Sequence, residues 1–78
     1  MRDTFNRIYD TYHKDLFRFI FYMVKDKELA EDLVQEVYIR ILKAFDTFRG
    51  DSSEKTWIFS IARHVTIDHF RSQKRKRK

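Results

Sequence analysis

The sequence has no cysteine, no proline and a single glycine, Gly50. Lack of cysteine excludes disulfides, thiolate-bound zinc and a thiol nucleophile. With no proline and one glycine, helix interiors meet almost no breaker, which favours long helices. One glycine also rules out a glycine-rich phosphate loop. No apolar run reaches signal-peptide or membrane-spanning length, because charges interrupt each one. The expectation is a soluble, cytoplasmic chain.

What is present fits one small domain. The 78 residues, 42% hydrophobic and 17% aromatic, can enclose one modest core. The net charge of +5 is unevenly placed. Lys74 to Lys78 are five consecutive bases, and without them twelve bases face twelve acids. The excess therefore belongs to the C-terminal end, which attracts polyanions locally. Asp26 to Glu36 holds five acids and one base. One end for anions and one face for cations point to two different partners.

Three segments carry helical periodicity. In the first, Phe5, Ile8, Tyr9, Tyr12, Leu16, Phe19, Ile20 and Met23 recur at spacings of three and four. Asp3 or Thr4 can cap its start. Phe17 and Phe21 lie one turn apart off that stripe, which predicts burial on two sides or a second contact surface, the former favoured. Lys25 to Lys27 is a polar break, with Asp26 a cap for a second helix over 28–45. Glu28, Glu31 and Asp32 suit the positive end of its dipole. Ala30, Leu33, Val34, Val37, Ile41, Ala44 and Phe45 form its core stripe. The opposite face carries Asp32, Gln35, Glu36, Ile39 and Lys43. Asp32, Gln35 and Glu36 project together around Ile39, either a protein-contact patch or a solvated face with one stray isoleucine.

The stretch from Asp46 to Trp57 concentrates the turn chemistry. Asp51 followed by Glu54 matches a capping box and predicts a third helix from about Ser52 to about Ser72. Trp57, Ile58, Ile61, Ala62 and Val65 form its core stripe, and Asp68 on that stripe calls for a basic partner or marks where the helix leaves the core. Ser60, His64 and Arg71 share a neighbouring stripe. Phe59, Arg63, Thr66, Phe70 and Lys74 fall on the far side. Local contacts without strand-like alternation predict an all-α bundle of three to four helices, with a basic C-terminal tail. Residues 1–72 form the domain and 73–78 a tail or shortened linker.

Catalytic chemistry finds no support. His64 and Asp68, at i, i+4, lack a third metal ligand nearby. Glu31 and Asp32 are adjacent and point to different parts of the helix surface. No catalytic residue, metal or cofactor is expected.

The motifs, taken in order, carry a resemblance. Asp32-Leu33-Val34-Gln35-Glu36 with Ile39, then Phe48-Arg49-Gly50-Asp51-Ser52 leading to Thr56-Trp57, then Ile61-Ala62-Arg63 and Ile67-Asp68, resemble region 2 of the bacterial sigma-70 superfamily. The likeness is to the extracytoplasmic-function group, and within it to the sigma-X type, over about Phe5 to Arg71. It implies a transcription initiation module. Asp32, Gln35, Glu36 and Ile39 would contact the clamp helices of the RNA polymerase β′ subunit. The loop and third helix would take the promoter −10 element as melted, non-template single-stranded DNA, with a base held in a pocket. By position Phe48, Arg49, Gly50, Asp51, Ser52 and Ser53 would form that pocket. Thr56, Ser60, Arg63 and His64 would line the helix beside it, with Arg71 and Lys74 on upstream phosphates. Trp57 would anchor the loop to the core. An anti-sigma factor is a further partner the resemblance implies.

The chain departs from the pattern in places. Glu54 stands where an aromatic or other apolar residue is frequent, Ser60 where a base is common, and His64 where asparagine is usual. These 78 residues leave no room for the −35-reading helical domain as well, so the expectation is an isolated region 2. Two other readings compete. A helix-turn-helix duplex binder needs a shorter turn than the connection between Phe45 and Ser53. A helical protein-interaction module would use the acidic helix and Phe17/Phe21, its basic tail being non-specific.

Overall fold

The computed structural model describes residues 2–45 and 53–76, with burial resolved for 5–45 and 53–73. Three helices account for nearly all of them: α1 (Arg2–Val24), α2 (Lys27–Ala44) and α3 (Glu54–Lys76). Each packs on the other two.

The first segment does not break. α1 starts at Arg2, which takes Asp3 and Thr4 into the helix rather than leaving either as its cap. It stops where Lys25 turns left-handed at φ 58° and its amide donates to the Phe21 carbonyl at 2.7 Å. A left-handed residue cannot continue the helix, so the chain reverses there. Asp26 then adopts extended backbone and its carboxylate accepts from the Leu29 amide at 3.2 Å, which caps α2 as expected.

α3 starts later than the sequence suggested. Its first residue is Glu54, and Ser53 Oγ accepts from the Thr56 amide at 3.1 Å. Ser53 therefore takes the capping role that the capping box assigned to Asp51, which lies outside the described residues. Glu54 does not reach back along its own helix as that box requires; its carboxylate is taken by α1. At the other end α3 continues past Ser72 to Lys76, because lysine and arginine are good helix formers.

Ile8, Leu16 and Ile20 of α1, Ala30, Leu33, Val34, Val37 and Ile41 of α2, and Ile58, Ala62 and Val65 of α3 build the core. Tyr38, one turn beyond Val34, joins them, although the sequence reading assigned it to neither face. Its ring lies edge-on to Phe5 at 5.6 Å and tilted on Tyr9 at 5.1 Å. Two residues assigned to the far side of α3 turn inward. Thr66 is fully buried and its hydroxyl donates to the Ala62 carbonyl at 2.9 Å, which spares it an unmet polar atom. Phe59 is half-buried edge-on against Phe19 at 5.3 Å. Phe17 and Phe21 stack at 5.7 Å and divide between the two accounts. Phe17 packs on the core, whereas Phe21 stays exposed.

Candidate functional site

The outward face of α2 is built by helical geometry alone. At about 100° per residue, Asp32, Gln35, Glu36 and Ile39 fall within a sector about 100° wide, opposite Ala30, Leu33, Val37 and Ile41. Asp32, Gln35 and Ile39 are exposed and Glu36 is half-exposed, so the structure brings the four together at the surface. Ile39 keeps 45% of its surface open, and Leu42 beside it keeps 50%. Leu42 was missed, although the helical period places it beside Gln35 and Ile39 on the outward side. The face holds an apolar centre with acids and an amide around it.

Glu36 is already engaged. Arg40, one turn on, donates Nε to its carboxylate at 3.3 Å. The same guanidinium reaches Asp68 of α3 at 3.4 Å, and Asp68 is exposed, so both readings of that residue apply: it has a basic partner and it lies clear of the core. Arg40 thus ties the outward face of α2 to α3. The Glu36/Arg40 spacing of four is legible in sequence, whereas the third member is not. Asp68 sits 28 residues further along the chain.

The described residues expected to meet nucleic acid share one face of α3. Ser53, Thr56, Ser60, Arg63, His64 and Arg71 are all exposed. By the helical period they form a stripe about 100° wide and about 30 Å long, turned away from Ile58, Ala62 and Val65. Lys74 continues that stripe along the helix, its side chain being outside the described set. Ser53 Oγ donates to Thr56 Oγ1 at 2.8 Å, so two hydroxyls stand together at the helix start. Phe48, Arg49, Gly50, Asp51 and Ser52 lie outside the described residues. Trp57 meets Phe45 edge-on at 5.9 Å, which makes it the anchor between the end of α2 and the first turn of α3.

Glu54 closes the third side of this corner. Both carboxylate oxygens accept from Arg7 of α1, at 2.9 and 2.6 Å, and Tyr12 donates its hydroxyl at 3.2 Å. These hydrogen bonds, led by Arg7, hold the Glu54 carboxyl below the usual carboxylate range. The carboxylate raises Arg7, and burial followed by the bond to Glu54 raises Tyr12. No local pattern could have revealed a pair 47 residues apart.

A groove of about 570 Å³ opens between α1 and α2. Tyr9 and His13 stack in its wall at 4.5 Å, and Gln35 stands at its edge. His13 Nδ1 lies 3.2 Å from the Tyr38 hydroxyl. Lys14, Arg18 and Lys27 line it with one acid, Glu31. Among the described residues no group of three or more His, Asp or Glu side chains could hold a metal ion. No described helix is long and apolar enough to cross a membrane.

Comparison with known proteins gives one family. Residues 8–76 match the sigma-70 region 2 family. The chain is 66% identical over 73 residues to the ECF RNA polymerase sigma factor SigX of Bacillus subtilis, covering 94% of this chain and 38% of that protein. It is 40% identical to SigM of the same organism, over 94% of the chain and 44% of the relative. With BldN of Streptomyces coelicolor the identity is 38%, over 92% and 28%. The chain therefore spans less than half the length of each of these relatives. No solved structure matches significantly.

Proposed function

Because this chain belongs to the sigma-70 region 2 family, of the extracytoplasmic-function group, we propose that it is the polymerase-binding and promoter-melting module of a transcription initiation factor. It works in the cytoplasm by binding and carries out no enzymatic reaction. Its partners are the clamp helices of the β′ subunit of core RNA polymerase, the non-template strand of the −10 element and an anti-sigma factor.

The single observation that supports this best is the separation of two exposed faces on adjacent helices. Asp32, Gln35, Glu36 and Ile39 occupy one on α2, and Ser53, Thr56, Ser60, Arg63, His64 and Arg71 the other on α3. A protein partner carrying arginines can meet the first through charge-assisted hydrogen bonds, with Ile39 as the apolar anchor. To do so it must compete with Arg40 for Glu36, so Asp32 and Gln35 offer the freer contacts. The second face offers hydroxyls near the loop and cations along the shaft. This order suits a strand whose first unpaired bases are held at the helix start and whose phosphates follow the helix.

Capture of core polymerase by the parent, Gln35→Ala and Glu36→Lys tests the first half. Both variants should keep their helical circular dichroism and lose binding. Retention equal to the parent would show that the partner grips another surface. For the second half, labelled −10 oligonucleotides should bind better single-stranded than duplex. Equal affinity for any polyanion of that length would reduce the DNA contact to charge.

A further inference from the structure

Arg7 approaches Glu54 with the two-pronged geometry of a guanidinium on a carboxylate, and Tyr12 adds a third bond. Such a fork fixes orientation as well as distance. The Glu54 side chain is 24% exposed and that of Arg7 53%, so the pair stabilises the fold little. Its location matters more. Glu54 is the first residue of α3, one turn before the fully buried Ile58 and on the same side. Thr56 lies on the opposite side of that first turn, next to Ser53. Trp57 against Phe45 holds the turn from α2, and Arg7 with Tyr12 holds it from α1.

We propose that Arg7 and Tyr12, acting through Glu54, are positioning residues for strand capture: they set the rotation of the first turn of α3 so that Ser53, Thr56 and Ser60 face the DNA. The inference rests on the single-strand reading above. Glu54, which departs from the apolar residue frequent in the family, here becomes a polar tether in place of an apolar contact. It places a negative charge near the expected path of a polyanion, and positioning offsets that disadvantage.

The sign of one substitution separates positioning from charge. Anisotropy of a labelled single-stranded −10 oligonucleotide is measured with the full chain, Arg7→Gln, Glu54→Gln and the double variant. If charge alone acts, Glu54→Gln tightens binding, Arg7→Gln weakens it and the double variant returns near the parent. If the pair positions the turn, each single variant weakens binding by about fivefold, and the double is no weaker than either, as expected for groups acting as a unit. Tyr12→Phe should weaken it by about twofold, through loss of one hydrogen bond. Core polymerase capture and helical content should stay at parental levels throughout. Glu54→Gln binding as tightly as the parent, or polymerase capture falling in step with DNA affinity, overturns the proposal. A parent with no single-strand preference overturns the strand reading itself, an outcome visible before any variant is made.

Discussion

Tyr38 shows what burial does to a single side chain in this fold. Its phenol is pushed up to about 12, first by burial and then by Tyr9. The unfolded chain ionises near the ordinary value of 10.0, while the folded chain keeps its proton. The resulting stability is fully present below that ordinary value and is lost as pH rises from about 10 through about 12. Denaturant unfolding across this window should therefore show a steeper alkaline loss for the parent than for Tyr38→Phe. Parallel curves would mean that Tyr38 is solvated. Ile58 offers a second residue-scale test. It is fully buried where α3 meets the core, beside Ala62 and Val65. Ile58→Ala should cost about 3 kcal/mol and lower Tm by roughly 15 °C in thermal unfolding followed by circular dichroism. A change of only a degree or two would place Ile58 at the surface.

At the scale of the helices, the boundaries were the least legible part of the sequence. Asp26 capped α2 as its position suggested, since the cap and its amide are three residues apart. Asp3 and Thr4 did not cap α1, and the Asp51/Glu54 spacing did not fix the start of α3. In the second case the deciding partner, Arg7, sits on another helix. Thr66 and Phe59 went inward for a similar reason: α1 and α2 enclose α3 on a wider arc than its apolar stripe alone implies. The turn between α1 and α2 carries a testable strain. Lys25 is left-handed, a conformation that costs a residue with a Cβ and not glycine. Its Nζ also sits 4.2 Å from the Tyr22 ring centre, a contact worth less at an exposed site. Lys25→Gly should thus stabilise the chain by about 0.5 kcal/mol, measured as a higher denaturant midpoint at unchanged slope. A lower midpoint would mean that the contact with Tyr22 outweighs the backbone strain.

Across the whole molecule, charge is divided between a near-neutral folded body and a basic end. Deleting Lys74 to Lys78 should weaken binding to single-stranded oligonucleotides of every sequence alike. It should also lower the slope of log affinity against log salt by roughly 0.7 for each single-strand phosphate that those bases neutralise. Loss of −10 preference along with affinity would instead place base recognition in the tail, against the assignment to Ser53, Thr56, Ser60 and His64. Arg40 adds a connection at this scale. Bound to both Glu36 and Asp68, it links the outward face of α2, proposed above for polymerase, with α3, proposed above for DNA.

The amino-acid order alone determined the helical class, the α2 cap, the outward grouping of Asp32, Gln35, Glu36 and Ile39, and the family. Each depends on residues within a turn or two of each other, or on motifs whose order survives without coordinates. Only the packing of three helices decided that Thr66 and Phe59 turn inward, that Glu36 shares Arg40 with Asp68, and that Arg7 and Tyr12 hold Glu54. Those contacts join residues that are distant along the chain, and helical periodicity says which way a side chain points but not what another helix brings to meet it.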